Sequence, residues 1–415
     1  MKTKGSLKLI REINSSIIID LLKDKGPLSK YEISKHTGLS APSVTNIVND
    51  LIKIGIVKEV GMGESIGGRP PLLLDLNLEG GFIIGVDISS DDITSIVVDF
   101  VGNIVSKSVT TMDADDSEFI IFDKIISTIS DSIEKTGKDR SLFIGMGIGV
   151  SGDVDSEKGI ILHASRLKWN NVPLKSIIEN SFHIPTFINE NVRLLSFAEK
   201  WFGAGKNHEN IICIRVGDDI GAGIILGGEL FGGSSGKAGV NLSHMTIDPN
   251  GLKCDCGSNG CLQTLISSNA IILRARELLK KYKDSVLTQY TEMKNRENSK
   301  LLTVKVIADA AKAGDGASLK IMDETGKYLG IAISNLVNFF DPELVIIGGG
   351  IAESGQVLFT PIMKHMQNYI KLHNPSLKIV PSVLGADSYA IGAAAIVLHQ
   401  IFSTPKRFIT KLKLP

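Results

Sequence analysis

Four side chains that can bind a metal lie close together in the second half of the chain. They form the pattern H-x9-C-x-C-x4-C, whose members are His244, Cys254, Cys256 and Cys261. Three thiolates and one imidazole complete a tetrahedral shell and leave no position open for a substrate, which is typical of structural zinc sites. Because the whole chain has only four cysteines, a disulfide framework is excluded. The pattern predicts a structural zinc ion, Zn²⁺, in a reducing compartment.

A second set of chemically useful side chains is small and polar, near the N-terminus. Apolar residues between positions 44 and 54 recur every three or four residues, which predicts an amphipathic helix with a polar outer face. Asparagine pairs bidentately with adenine, and serine or threonine pairs with either base type, so this face suits the DNA major groove. A nearby arginine is expected to clamp a phosphate or enter the minor groove. The residues predicted to contact DNA are Ser40, Ser43, Thr45, Asn46, Asn49 and Arg69.

The neighbouring elements must position this helix. Ser29 and Glu32 have the spacing of a capping box and predict a short preceding helix, while Ser40 is expected to cap the amphipathic one. Residues 56–60 and 72–74 are typical of a two-stranded wing. A first helix is predicted upstream, with one apolar face formed by Ile10, Ile13, Ile17 and Leu21. This order predicts a winged helix-turn-helix domain that binds double-stranded DNA. The alternative is a three-helix protein-interaction module.

Charge is unevenly distributed along the chain. Its 415 residues carry 45 basic and 45 acidic side chains, but the first seventy carry eleven basic and seven acidic ones, a net charge of +4. Because +4 is modest for a DNA-binding domain, we expect two such domains to act together in a dimer. No segment approaches the ~18 apolar residues of a transmembrane helix. We therefore expect a cytoplasmic protein with no membrane partner.

The remainder of the chain has the sequence pattern of an α/β fold. Apolar strands end at glycines or aspartates, and helical patterns lie between them, which places ligands at the carboxyl ends of the strands. Asp87 and the pair Asp218-Asp219 occupy comparable places, each between two strands, and this repetition suggests two related lobes with a cleft between them. The predicted strands are 82–87, 95–100, 143–150, 211–216, 224–226 and 344–347, with a helix at 120–133.

Several segments resemble the ROK family, named for repressors, open reading frames and sugar kinases, and in particular its xylose-repressor-like branch. The segments are Gly67-Gly68-Arg69-Pro70, 198–205, 220–225, His244 with the cysteines, and Asp341-Pro342-Glu343. The resemblance covers essentially the whole chain. It implies an α/β fold, actin-like and two-lobed as in sugar kinases (ribonuclease H-like), behind the winged helix-turn-helix domain. It also implies a small carbohydrate effector and assembly as a homodimer or homotetramer.

Four domains are expected from this combination. Residues 1–75 would form the DNA-binding domain and residues 80–200 the first lobe. Residues 201–385 would form the second lobe, with the zinc loop and the oligomer contacts. Residues 386–415 would form a C-terminal helix that packs back on the first lobe, followed by a basic tail.

The parts that ROK kinases use for phosphoryl transfer are expected to be lost here. Asp87-Ile88 is followed by Ser89-Ser90 where the kinases have two glycines, and Asp218-Asp219 stands in the second phosphate loop. The general base of the kinases, an aspartate, corresponds to Asn191, and an amide cannot accept the proton. The sequence therefore predicts a protein that is not an enzyme.

The resemblance also assigns sugar contacts to this chain. They fall on Glu190, Asn191, Asn241, His244 and Gln263, of which His244 alone has the residue type of the kinases, although all five can form hydrogen bonds. Arg166, in a loop where relatives commonly have asparagine, could recognise a charged ligand or lie on the surface. Trp169 could cap a ligand or pack beneath that loop.

The expected function is a transcriptional repressor of carbohydrate-use genes, such as those of xylose metabolism, in which a sugar binds the cleft and reorients paired DNA-binding domains. One alternative is a carbohydrate kinase that retains a DNA-binding head. Another is a repressor regulated by a docked transport protein, for which the charged stretch 280–300 is a candidate surface.

Overall fold

The computed structural model describes residues 7–53, 55–64, 70–77, 79–89, 91–100, 102–113, 115–206, 208–234, 239–290, 301–370 and 376–403. The chain divides into two compact units. The first comprises residues 1–194 and 389–415, and the second comprises residues 195–388. Within the described ranges, no helix is long and apolar enough to cross a membrane.

The N-terminal domain has three helices and a small antiparallel sheet. The strand order is β1-β3-β2, so the predicted two-stranded wing is confirmed, with a short third strand that was not predicted. Two residues are too few to show a period-2 pattern. The elements are α1 (Leu7–Lys25), β1 (Leu28–Ser29), α2 (Lys30–Thr37), α3 (Ala41–Lys53), β2 (Val57–Met62) and β3 (Leu72–Leu76).

Local bonds fix where α2 begins and ends. Ser29 accepts a hydrogen bond from the amide of Glu32, and the Glu32 carboxylate accepts one from the amide of Ser29 at 2.8 Å, which confirms the capping box. The carboxylate also accepts a hydrogen bond from the Ser29 hydroxyl at 2.7 Å, and the two bonds it accepts, from the Ser29 amide and hydroxyl, hold the pKa of Glu32 below its usual value. Gly38 ends the helix with φ +70°, a conformation that glycine adopts without steric cost. The turn that leads into α3 is therefore set locally.

The rotation of α3 is set by its apolar side. Val44, Ile47, Val48 and Leu51 are at most 4% exposed, as predicted, whereas Ile54 at the end of the predicted stripe lies outside the described residues. Because that side is buried, the polar side chains of α3 lie on the opposite side of the helix.

The predicted apolar face of α1 is wrong at Ile17, and the side chains of Ile10 and Ile13 lie outside the described part of the structure. Ile17 is 40% exposed, and the buried side chains are Ile18, Ile19 and Leu22. Three successive isoleucines occupy positions 17–19, so spacing alone leaves the phase of the helix ambiguous. The packing of the domain selects the buried face.

The rest of the first unit is built on a five-stranded sheet of order β11-β7-β4-β5-β6. Strands β4, β7 and β11 run parallel, and β5 and β6 are antiparallel to their neighbours. A smaller sheet has the order β10-β9-β8. The elements are β4 (Phe82–Ile88), β5 (Asp92–Val98), β6 (Ile104–Thr111), α4 (Glu118–Glu134), β7 (Phe143–Val150), β8 (Asp153–Asp155), β9 (Ile160–Ala164), β10 (Trp169–Val172), α5 (Leu174–Phe182), β11 (Thr186–Glu190), α6 (Asn191–Phe202), which continues into the second unit, and the C-terminal helix Ser388–Ser403.

The C-terminal helix lies directly on this sheet. A Cβ atom at Gly147 would lie 1.7 Å from the carbonyl oxygen of Ala393, and one at Gly85 would lie 2.0 Å from that of Ala390. Both distances are far shorter than a van der Waals contact, so glycine is required at each position. The central strands β4 and β7 are therefore held against the helix at backbone distance.

The second unit repeats the strand arrangement of the first. Its sheet has the order β14-β13-β12-β15-β16, with β12, β15 and β16 parallel and β13 and β14 antiparallel to their neighbours. The five-stranded sheet of each unit thus has three parallel strands followed by two antiparallel ones. The α/β fold class is confirmed. The elements are β12 (Ile211–Val216), β13 (Ile220–Leu226), β14 (Glu229–Leu230), α7 (Leu262–Ile266), α8 (Ser268–Leu279), α9 (Val304–Lys312), α10 (Gly316–Phe340), β15 (Leu344–Gly348), α11 (Gln356–Met366) and β16 (Lys378–Pro381).

Candidate functional sites

The polar side of α3 carries most of the residues predicted to contact DNA. Ser40, Asn46 and Asn49 are exposed, and Ser43 and Thr45 are partly buried. The hydroxyls of Ser40 and Ser43 lie 2.9 Å apart, and the amide of Ser43 donates to Ser40 Oγ at 3.4 Å, which confirms Ser40 as the N-cap. Five hydrogen-bonding side chains are therefore presented at the start and along one side of α3.

Two further observations concern the same surface. The Nζ of Lys30, the first residue of α2, donates to Oδ1 of Asn49 at 3.1 Å, a contact that sequence spacing does not indicate. Arg69, predicted to contact a phosphate or the minor groove, lies outside the described residues.

The predicted metal ligands converge in the second unit. One ligand atom from each of His244, Cys254, Cys256 and Cys261 lies within 4.8 Å of all the others. Cys254 Sγ is 3.6 Å from His244 Nδ1, and Cys256 Sγ is 3.6 Å from Cys261 Sγ. A tetrahedral ion with metal–sulfur bonds of ~2.3 Å requires ligand atoms about 3.8 Å apart. The four side chains could therefore hold a metal ion.

Tight backbone turns bring these ligands together. Gly260, next to Cys261, has φ +65°, and a Cβ there would lie 1.5 Å from the carbonyl oxygen of Asp248. Gly257 has φ +92° and open space around it. The amide of Leu262 donates to the carbonyl of Met245 at 2.9 Å, which joins the start of α7 to the residue after His244. The loop is thus closed by its own backbone.

Burial and hydrogen bonding act differently on the cluster thiols. Burial raises the pKa of Cys261 to about 12, whereas the backbone hydrogen bond from Ser258 lowers the pKa of the exposed Cys256. A buried thiolate needs a nearby cation, which a metal ion supplies when it replaces the thiol proton. Cys213, by contrast, is fully buried in β12, and burial raises its pKa, so the prediction of a core thiol is confirmed.

In the first unit, polar side chains gather where parallel strands end. Glu190 ends β11 and Asn191 begins α6, and each is 3% exposed. Asn191 Nδ2 donates to Oδ1 of Asp87 at 2.8 Å, near the end of β4. Carboxyl ends of parallel strands are where open α/β sheets bind ligands. Glu190 and Asn191, two of the predicted effector contacts, are therefore adjacent in such a place.

Arg193 joins this group, although sequence reasoning missed it. It is 6% exposed, and its Nε lies 3.9 Å from Oε2 of Glu190. Burial disfavours the charged guanidinium and lowers the pKa of Arg193. The signal that could have indicated Arg193 is its position three residues after Glu190, a spacing that brings two side chains together on a helix.

The hairpin β9–β10 carries the third predicted contact of the first unit. Arg166 is exposed in its turn. Trp169 is fully buried, and its ring stacks on Phe122 with 5.2 Å between centroids. Of the two interpretations of Trp169, packing beneath the loop therefore describes the structure.

The remaining predicted contacts belong to the second unit. Asn241 and His244 are exposed on a short 3-10 helix, Val240–His244, and Gln263 is partly buried on α7. The Met245–Leu262 hydrogen bond joins these two segments. Three predicted contacts thus lie in each unit.

The segments that the resemblance matches to kinase phosphate loops have acidic side chains. In the β4–β5 turn, the hydroxyl of Ser89 donates to Oδ1 of Asp92 at 2.7 Å. Asp218 and Asp219 are exposed between β12 and β13. At Gly349, a Cβ would lie 2.2 Å from the carbonyl oxygen of Val216, so close packing requires glycine there.

Along the chain, a winged helix-turn-helix domain precedes two five-stranded sheets that share one order of parallel and antiparallel strands. Residues 83–400 match the ROK family model, and residues 14–58 match a model described as winged helix-turn-helix DNA-binding. The chain belongs to the ROK family.

Curated relatives match the chain over nearly its full length. A xylose repressor of Caldicellulosiruptor bescii is 33% identical, over 97% of this chain and 99% of that protein. The DNA-binding transcriptional dual regulator NagC of Escherichia coli K12 is 29% identical, over 95% of this chain and 94% of that protein.

Solved structures show the same fold. A ROK family transcriptional regulator, described as a homologue of the E. coli MLC protein, has a TM-score of 0.83 and 27% identity, over 97% of this chain and 99% of that one. A ROK family glucokinase from Streptomyces griseus, crystallised with glucose and AMPPNP, has a TM-score of 0.66 and 29% identity, over 76% of this chain and 99% of that one. The actin-like fold expected from the sequence is confirmed.

Proposed function

We propose that this protein is a sugar-responsive transcriptional repressor of carbohydrate-use genes. The observation that carries the proposal is the polar face of α3, whose apolar side is buried, in a chain whose ROK domain spans residues 83–400. Similarity to a named xylose repressor over almost the whole chain supports the same function. An operator-binding protein would act in the cytoplasm, where the DNA is.

The effector is a carbohydrate in this proposal, and xylose is the first candidate. The proposed contacts are three residues in each unit: Arg166, Glu190 and Asn191 in the first, and Asn241, His244 and Gln263 in the second. Arg193 joins them because it is buried beside Glu190. His244 can serve two roles, since its Nδ1 faces Cys254 and its Nε2 is a separate hydrogen-bonding atom.

Operator binding in the presence of sugars tests this function. Fluorescence anisotropy with duplex DNA from the promoter of the chain's own operon gives the operator Kd as xylose is added, with N-acetylglucosamine and glucose as comparison sugars. We expect one sugar to change the Kd by about five- to 150-fold, which is the usual range of coupling between two sites. Operator affinity that no sugar or sugar phosphate alters contradicts the sensor role.

We propose that the ROK domain of this chain has no kinase activity. The amide of Asn191 stands where ROK kinases have a general base, and it is already bonded to Asp87. Acidic side chains at the phosphate-loop positions add negative charge where a triphosphate would bind, which costs energy unless a cation intervenes. The alternative, a kinase that retains a DNA-binding domain, is favoured by the likeness to the glucokinase. ATP consumption by the purified chain with hexoses or pentoses would establish that alternative.

The metal that fits the His/Cys cluster best is zinc, in a structural role. Thiolate and imidazole ligands in a closed four-ligand set are the usual environment of structural zinc. We expect one zinc per chain by elemental analysis, and less than a tenth of that after Cys261→Ser. Cys213→Ala is the control and should keep full zinc content, because Cys213 is a core thiol in β12. Full zinc content in both variants would exclude the His/Cys cluster as the zinc site.

We further propose that the chain acts as a homodimer or homotetramer, because one domain of charge +4 gives modest affinity for DNA. The domain limits 1–75, 80–200, 201–385 and 386–415 belong to the same proposal.

A further inference from the structure

We propose that Lys30 determines base specificity by holding Asn49 so that the pair reads guanine. This inference rests on the proposed DNA-binding function. It concerns which base α3 recognises, and it begins from the hydrogen bond between Lys30 Nζ and Asn49 Oδ1, 3.1 Å long.

The position of Lys30 is fixed independently of that bond. Lys30 is the first residue of α2, directly after the Ser29 cap, and Ser29 pairs with Leu73 in the domain's sheet. The capping box with Glu32 holds the start of the helix from the other direction. The backbone of Lys30 is therefore held at the junction between β1 and α2. Its contact with Asn49 depends mainly on the rotamer of its own side chain.

The bond also fixes the orientation of the Asn49 amide. An ammonium group only donates hydrogen bonds, so the atom it contacts must be the carbonyl oxygen. The NH2 group of Asn49 then forms the free end of this exposed side chain. Together, Lys30 and Asn49 present N–H donors and a positive charge.

Such a pair favours one base edge in the major groove. Adenine presents an acceptor, N7, beside a donor, N6–H, and bidentate pairing requires the amide oxygen of asparagine to accept from N6. The second lone pair of Asn49 Oδ1 remains, but an adenine N–H donor would approach beside an ammonium group, which is electrostatically unfavourable. Guanine presents two acceptors, N7 and O6, and matches donors on both side chains.

Asn46 provides an internal contrast on the same helix. It is exposed, and its side chain forms no hydrogen bond with another described residue. Its amide can turn to present both its oxygen and its nitrogen, which suits adenine. The structure thus assigns different base types to two asparagines that are one helical turn apart.

The test is selection of binding sites from randomised duplex DNA by the full-length native chain and by Lys30→Met. Lys35→Met is the matched control. Lys35 lies on the same helix and is exposed, and its substitution removes the same positive charge. The base pair read by Asn49 is the one whose preference disappears in Asn49→Ala. At that pair we expect the native chain and Lys35→Met to prefer guanine over adenine by about tenfold, and Lys30→Met to lose or reverse this preference.

Two outcomes would overturn the inference and are distinct from failure of the proposed function. An unchanged preference for guanine in Lys30→Met, with an affinity loss equal to that of Lys35→Met, would reduce Lys30 to a general phosphate contact. A native preference for adenine at the Asn49 position would contradict it directly. If the native chain selects no sequence at all, the proposed repressor function fails as well. In Lys30→Met/Asn49→Ala, the base preference should equal that of Asn49→Ala alone.

Discussion

In the proposed function, the amide of Asn191 stands in place of the general base of a kinase. Its amide donates to the Asp87 carboxylate at 2.8 Å, and the two side chains are 3% and 7% exposed. A carboxylate at the same position would bring two negative charges together in a buried place, where one of them must take up a proton or a cation. The amide avoids that cost but cannot act as a general base.

Asn191→Asp should therefore destabilise the protein in a pH-dependent way without creating a kinase. One carboxyl of the new pair has a pKa in the folded state above its unfolded value of about 4. The folded variant thus binds that proton more tightly, and its stability falls as the pH rises through the raised pKa. We expect a loss of roughly 2 kcal/mol between pH 5 and pH 8, which corresponds to a carboxyl pKa raised by about 2.5 in the folded variant. Urea unfolding without divalent cations measures it.

The matched control is Asn191→Leu, which removes the hydrogen bond but adds no charge. Its stability relative to the native chain should not vary over the same pH range. The account is contradicted if Asn191→Asp behaves like Asn191→Leu at every pH, or if it consumes ATP with a sugar substrate.

At this scale, residue type and spacing predicted some contacts and missed others. The metal-binding pattern was visible because its ligand types are rare in this chain and lie within eighteen residues of one another. The pairs Lys30–Asn49 and Asn191–Asp87 were not, because their members are 19 and 104 residues apart. Such pairs depend on how helices and strands come together, which single positions do not encode.

The loop that carries the His/Cys cluster depends on glycine for its geometry. Gly260 combines φ +65° with a Cβ position 1.5 Å from the carbonyl oxygen of Asp248. Gly257 has φ +92° but open space. The two glycines therefore separate steric exclusion from backbone strain within one short loop.

Gly260→Ala should open the loop and reduce zinc content, because the backbone of Asp248 has to move. We expect a destabilisation of more than about 2 kcal/mol, whereas Gly257→Ala should cost about 1 kcal/mol from strain alone. Thermal unfolding with elemental analysis of both variants measures this. Equal losses in the two variants would mean that the close contact with Asp248 does not hold the loop.

Elements with strong patterns were predicted well, and weakly patterned ones were not. The stripe of α3 and the capping box of α2 both appear where the sequence indicates them. Strand β6 was missed because its polar and apolar residues are mixed and lie at the edge of the sheet, where packing constrains them less. In α1, tertiary packing chose among three adjacent isoleucines.

At the scale of the whole molecule, one strand order occurs twice and a DNA-binding domain precedes it. The repetition was predicted from aspartates that follow strands, and the structure shows it as two sheets with three parallel and two antiparallel strands. The chain is similar in sequence to a named xylose repressor and in fold to a glucokinase. A sugar effect on DNA binding is the property that separates the two functions.

The most direct test of this central claim is thermodynamic reciprocity. Calorimetry gives the Kd of the effector sugar for the free protein and for the operator complex, and anisotropy gives the Kd of the operator with and without that sugar. Linkage requires the two ratios to be equal, and we predict a common factor of about five to 150. A sugar that binds equally well to free and operator-bound protein would contradict the proposal that this ROK domain controls the DNA-binding domain.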